Sequence, residues 1–157
     1  MINDKYFMRE ALQQAIIAFE KDEVPVGAVI VWNSGEACSD SGAYGGGQII
    51  ARAYNMTEQL KDATAHAEML AFTASTNAIG GKYLDECTIY VTLEPCIMCA
   101  GASFWTQIGR IVYGASDPKR GFLQASSNIL HPKTTITGGV LADECSALLK
   151  QFFEKKR

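Results

Sequence analysis

The sequence predicts an α/β fold of three layers, a sheet of about five strands flanked on both faces by helices. Three observations predict it. Short β-branched runs alternate with segments of helical periodicity along the chain, and such alternation covers both faces of a sheet. The 157 residues are 48% hydrophobic, enough for one domain to bury roughly 68–70% of its unfolded surface. No repeat or low-complexity arm marks a second unit, so residues 1–157 read as one domain.

The first helix is written in Met8, Ala11, Leu12, Ala15, Ile16 and Phe19, apolar at i, i+3, i+4, i+7, i+8 and i+11, and it ends near Lys21 and Asp22. Residues 26–32 and 48–54 read as the two strands of a hairpin. A second helix over 65–78 consists mainly of good helix formers, with Thr64 as its N-cap and Gly80-Gly81 as its stop. That assignment puts His66 in the first turn. Residues 88–92 are β-branched and aromatic, a strand. After Leu93-Glu94-Pro95, residues 96–107 form a helix with no breaker except Gly101. A strand at 110–113, a loop-rich stretch over 114–133, a short strand at 134–137 and a helix at 141–155 complete the chain.

Two short runs carry the chemistry. His66 and Glu68 are separated by Ala67, and Pro95-Cys96-Ile97-Met98-Cys99 follows. One imidazole and two thiols are three ligands for a tetrahedral Zn²⁺, with the fourth position open for water and a carboxylate near enough to move that water's protons. A structural zinc site would be closed by a fourth Cys or His, and neither run has one nearby. Both cysteines lie at a helix start, where exposed amides favour the thiolate that a metal needs. On an ideal helix residues two apart point to nearly opposite sides, so His66 and Glu68 share a site only if it wraps around the helix end.

Each piece has a plainer reading. A lone His at a helix start is most often a cap or exposed, and a lone Glu is usually solvated. Cys-x-x-Cys between a strand and a helix is also the setting of a dithiol oxidoreductase, but that reading leaves His66-x-Glu68 without a role. The full pattern, H-x-E…P-C-x-x-C, is the signature of zinc-dependent nucleobase deaminases, enzymes of tRNA adenosine among them.

Composition agrees with a small intracellular enzyme. Charges at Asp4, Lys5, Arg9, Glu10, Glu20 and Lys21 break up any signal-peptide layout, and no apolar run is long enough to span a bilayer, so the expectation is a cytoplasmic protein without membrane contact. Five cysteines, an odd count, fit reduced thiols: Cys96 and Cys99 as ligands, Cys38, Cys87 and Cys145 as bystanders. A formal charge of −3 and a pI near 5.4 forbid a uniformly basic surface. Lys119-Arg120, Lys133 and Lys155-Lys156-Arg157, with Phe152 and Phe153, still offer a local patch, although basic residues at a helix end also complement its dipole.

Beyond the zinc motif, the chain resembles the bacterial tRNA-specific adenosine deaminases of the cytidine deaminase-like superfamily from about residue 8 onward. The likeness rests on Asp22-Glu-Val-Pro-Val-Gly-Ala-Val29, Thr64-Ala-His-Ala-Glu68, the run from Val91 to Ala102, the run from Ile108 to Asp117, and Leu141-Ala-Asp-Glu-Cys145. It implies a cytidine deaminase-like fold with a mixed central sheet, one Zn²⁺ per subunit on His66, Cys96 and Cys99, and Glu68 as the proton carrier. The implied reaction is hydrolytic deamination of an anticodon wobble adenosine to inosine, with the tRNA anticodon stem-loop as partner.

By the same resemblance, Asn55 hydrogen-bonds the flipped base, Val24 and Pro25 wall the pocket, the Ala67 N–H faces the base and Asp117 contacts a nucleotide. Asn55 is also a plausible strand-ending turn residue, and Asp117-Pro118 a plausible N-cap and N1 pair. Lys119, Arg120, Phe153, Lys155, Lys156 and Arg157 are the candidate RNA contacts. A homodimer is implied, with Phe104 and Trp105 as contact candidates that core packing explains equally well. A free-base or nucleoside deaminase acting on guanine, cytosine or cytidine is the alternative, and a non-catalytic zinc or dithiol module a more distant one.

The chain departs from the family in two places. Residues 33–47, a Gly/Ser-rich stretch, replace a tight hairpin and are expected at the end of the sheet opposite the site. Residues 122–131 are also unlike the family, and His131 within them reads as a loop residue rather than a ligand.

Overall fold

A computed structural model describes residues 3–33, 47–125 and 127–156; most of the 33–47 insertion, Cys38 and Arg157 lie outside the described residues. The elements are α1 (Asp4–Glu20), β1 (Gly27–Trp32), β2 (Gln48–Tyr54), α2 (Ala67–Ile79), β3 (Cys87–Leu93), α3 (Ile97–Thr106), β4 (Arg110–Ala115), β5 (Thr135–Thr137) and α4 (Ala142–Lys155). Two 3₁₀ turns, Phe122–Gln124 and Ser127–Ile129, fill the stretch expected as loop. The strands form one sheet in the order β2-β1-β3-β4-β5. β1 is antiparallel to β2 and β3, whereas β3, β4 and β5 run parallel, which makes the sheet mixed.

Both faces of the sheet are covered, which is why its strands are apolar at consecutive positions. Ala28 and Ile30 of β1 join Ile89, Val91 and Ile111 against Ala67, Ala71 and Phe72 of α2. The alternate residues Val29 and Val31 turn to the other side with Tyr90 and Val112, against Phe7, Met8 and Ala11 of α1 and Cys145 of α4. At the start of β1 the helix lies directly on the strand: a Cβ on Gly27 would come within 2.1 Å of the Ala11 carbonyl oxygen, so only glycine fits.

α1 begins four residues before its first periodic apolar residue. Asn3 caps it by accepting the Tyr6 N–H at 3.1 Å. Asp4 then accepts from the Tyr90 hydroxyl at 2.8 Å and from both terminal nitrogens of Arg110 at 2.8 Å, which ties the helix start to β3 and β4.

Strand direction decides where chemistry can gather. Gly27 pairs with Tyr54, Ala28 with Val91, and Leu93 with Ala115, so the start of β1 and the ends of β2, β3 and β4 meet at one end of the sheet. The segments leaving that end carry Asn55, Cys96 and Asp117. At the other end Trp32 pairs with both Gln48 and Cys87, beside Asn33; the expectation for the insertion itself falls on residues 34–46, outside the described residues. No helix among the described residues is long and apolar enough to cross a membrane.

Candidate metal centre and active site

α2 starts two residues later than the sequence predicts, and the difference builds the site. Thr64 does not cap it, because its N–H and hydroxyl both donate to Asp62 Oδ1, at 2.8 and 2.7 Å, in a local turn. His66 is the N-cap residue instead, extended at φ −72° and ψ 152° and without a side-chain cap of its own. An extended residue points its side chain off the helix end while Glu68 sits in the first turn, so the two face one point around the helix terminus.

One free amide of that terminus is satisfied from another segment. Asn55, leaving β2, accepts the Ala67 N–H through Oδ1 at 2.8 Å. This corrects the expectation that the Ala67 N–H faces a base: Ala67 is fully buried and its N–H is taken. It also fixes the Asn55 amide, since only the oxygen can accept from an N–H, and leaves Nδ2 as the end that donates.

Cys96 occupies the matching N-cap place on α3, extended at φ −73° and ψ 174°, and Cys99 follows in the first turn, buried. His66 Nδ1 lies 3.6 Å from Cys96 Sγ and 3.6 Å from Cys99 Sγ, and all three ligand atoms fall within 4.8 Å of one another. A nitrogen ligand at about 2.05 Å and a sulfur ligand at about 2.3 Å on one tetrahedral ion are separated by about 3.6 Å, so both nitrogen–sulfur separations match what Zn²⁺ requires.

Electrostatics fit the same ion. Without it, the Cys99 thiol donates to Cys96, which with the nearby His66 brings Cys96 down to about 4. Cys99 is pushed far up by keeping that shared proton and by burial. His66 is raised chiefly by its hydrogen bond with Cys96. A divalent cation displaces such a shared proton and leaves two thiolates. Glu68 is 4% exposed, and burial first of all pushes its carboxyl above the ordinary range.

A cavity of about 250 Å³ opens over these groups. Of the residues singled out in the sequence it brings together Val24, Asn55, His66, Glu68, Cys96, Asp117 and Arg120. Pro25 is buried and not among the lining residues; the next residue, Val26, provides that wall. Asp117 lines the cavity, and its Oδ1 accepts the N–H groups of Lys119 and Arg120 at 3.1 and 3.0 Å, closing a turn where the sequence suggested the N-cap of a helix. A larger cavity, about 610 Å³, lies at the other end of the sheet by Trp32, Ile50, Ile79 and Tyr83. No metal-ligating cluster among the described residues faces it.

The remaining candidates lie outside the cavity. Lys119 is exposed beside Arg120. On α4, Lys156 pairs with Asp22 at 2.6 Å, two residues before Val24, and Lys155 stands over the Phe19 ring. Phe152 is buried and Phe153 is half exposed. The His131 ring packs against Phe104 and its Nδ1 accepts from Lys133 N–H, away from the metal ligands. Sequence reading missed Leu93, Thr57 and above all Glu94, a buried carboxylate in the cavity wall. The signal was available: Glu94 is the charged residue between an apolar strand and the first cysteine ligand.

Residues 1–115 match the cytidine and deoxycytidylate deaminase zinc-binding region. The whole chain aligns at 40% identity with the tRNA-specific adenosine deaminase of Bacillus subtilis, covering 92% of that protein. The chain belongs to the tRNA-specific adenosine deaminase branch of this zinc-binding deaminase family. A solved structure from studies of A-to-I editing by tRNA:A34 deaminases at the wobble position matches at 36% identity and a TM-score of 0.76, over 91% of this chain and 98% of that one. The guanine deaminase of Bacillus subtilis is also similar, at 32% identity and a TM-score of 0.60, but over only 73% of this chain and 66% of its own. The fold is thus shared across substrates, and identity near 40% over the full length is found with the tRNA enzymes.

Proposed function

We propose that the protein hydrolyses an adenosine at the wobble position of a tRNA anticodon to inosine, releasing ammonia. The observation that carries this reading is the tetrahedral spacing of His66, Cys96 and Cys99 beside a buried carboxylate, in a cavity smaller than ordinary ligand pockets and suited to one flipped base. His66, Cys96 and Cys99 would hold Zn²⁺, which would supply the Lewis acidity that brings the pKa of a water towards about 7.

Glu68 takes a proton from the attacking water as the new C–O bond forms at C6 and delivers it to the neighbouring ring nitrogen. It then carries the proton of the new C6 hydroxyl to the exocyclic amine, which leaves as ammonia as the C6–N bond breaks and C6=O forms. Asn55, held by the Ala67 N–H, offers Nδ2 to an acceptor on the base, while Val24 and Val26 pack against the ring and exclude water. Asp117 and Arg120 meet the flanking nucleotide. Lys119, Lys155, Lys156, Arg157 and Phe153 extend the contact to phosphates and a stacked base around the cavity.

The working form is a homodimer in the cytoplasm. Ile97, Gly101 and Trp105 fall at i, i+4 and i+8 on α3, and the two large side chains are 56% and 77% exposed, an apolar stripe suited to a second copy. Sedimentation of the zinc-loaded protein checks this. The substrate reading is tested by incubating the enzyme with an anticodon stem-loop bearing adenosine at the wobble position, with guanine and cytidine as competitors. Inosine in the RNA with no xanthine or uridine is the expected result; xanthine from guanine without inosine would establish the alternative.

A further inference from the structure

We propose that Glu94 is a positioning residue that joins the metal-binding segment to the wall of the pocket and holds Asp117 and Arg120 over the substrate. The inference rests on the substrate reading above. Glu94 follows the last residue of β3 and stands two residues before Cys96; it is 4% exposed. Its Oε1 accepts the Asp117 N–H at 3.2 Å and its Oε2 the Leu123 N–H at 3.2 Å, so one carboxylate grips both ends of the segment 117–123.

The segment is built to lie flush on that carboxylate. A Cβ on Gly121 would meet Glu94 Oε2 at 1.9 Å and the Asp117 carbonyl oxygen at 2.6 Å. Beside it, Phe122 N–H donates to the Pro95 carbonyl at 2.9 Å, and Gly121 forms a β-bridge with Cys96. The grip is relayed to the rim, because Asp117 in turn accepts the Lys119 and Arg120 N–H groups. Asp117 and Arg120 therefore take their place relative to the metal ligands from Glu94.

A carboxylate is needed because both of its oxygens face donors. An amide of the same shape turns an NH₂ group toward one of the two N–H groups and loses that bond. Glu94→Gln should therefore loosen the wall without touching a ligand.

The test compares wild type, Glu94→Gln, Arg120→Ala and the double variant, zinc-loaded, on the wobble-adenosine stem-loop. Glu94→Gln should retain one zinc per chain, raise KM about tenfold and change kcat by less than about threefold. Arg120→Ala should raise KM in the wild-type background and add little on top of Glu94→Gln, because its place is already lost. Trypsin should cut after Lys119 and Arg120 faster in Glu94→Gln. Unchanged KM and cleavage, a loss confined to kcat, or additive effects would overturn the proposal. Should Glu94→Gln not fold, Arg120→Ala decides: the side chain is exposed, and a wild-type KM would leave the wall nothing to contribute. Wild-type enzyme inactive on the stem-loop would instead break the substrate reading.

Discussion

On the proposed mechanism Asn55 does two things with two ends of one amide, and substitution can separate them. Its Oδ1 serves the Ala67 N–H at the start of α2, where His66 provides no side-chain cap. Both residues are buried, Asn55 at 8% exposure and Ala67 at 0%. Asn55→Ala leaves that N–H buried without an acceptor, a cost of about 1–3 kcal/mol. At about 2–4 °C per kcal/mol for a chain of this size, Tm should fall by about 2–12 °C. Asn55→Asp keeps an acceptor for Ala67 and places negative charge at a helix N-terminus, so its Tm should stay near wild type.

The carboxylate has no N–H₂ to give a base, however, and turns a lone pair toward an acceptor. Losing that bond should lower kcat/KM by about 5- to 150-fold, from about 1–3 kcal/mol. The assay pairs thermal unfolding with inosine formation on the stem-loop, run above neutral pH to keep the new carboxyl ionised beside Glu68. Full kcat/KM in Asn55→Asp, or an unaltered Tm in Asn55→Ala, would refute the division of labour.

Glu68→Gln should keep one zinc per chain by metal analysis and lose about 10²- to 10⁴-fold in kcat; loss of the metal together with activity would make Glu68 a ligand rather than a proton carrier. Asp4 titrates below its ordinary value of 3.8, chiefly because Arg110 donates to it, so its stabilisation is complete above that value and disappears as pH falls through its lower native value. Asp4→Asn should therefore unfold at lower urea than wild type near neutral pH, with the two midpoints converging well below pH 4; a constant gap would contradict the assignment. Lys156 is exposed and its pair with Asp22 contributes little to folding. Charge reversal at Lys155 and Lys156 should therefore leave Tm in place while flattening the salt dependence of tRNA binding by about 0.7–0.9 in log–log slope per lost phosphate contact. An unchanged slope removes the tail from the interface.

Local composition was enough to place the strands and α-helices among the described residues, because apolar periodicity and β-branched runs are short-range properties; the two 3₁₀ turns were not foreseen. The ends were less legible, since caps depend on which competing partner wins. Thr64 looks like an N-cap in sequence, but Asp62 captures it and the helix starts after His66. Asn3 and Asp4 extend α1 backwards through bonds to Tyr6, Tyr90 and Arg110, two of which are long-range and invisible to periodicity. The metal ligands were readable because their chemistry demands a fixed residue pattern. Glu94 was marked only by its place, a charge between an apolar strand and the first cysteine; its role needs its donors, 23 and 29 residues onward.

The antiparallel hairpin of β1 and β2 gives the molecule two unequal poles, separated by a six-residue strand of roughly 17 Å. One pole concentrates every group that reacts, and there a single added methyl at Gly121 collides with a carboxylate. The other bears none of the candidate site residues, so a tether, tag or guest domain spliced between Asn33 and Gly47 should leave the editing chemistry undisturbed. An enzyme so arranged can acquire new cellular addresses without relearning its reaction.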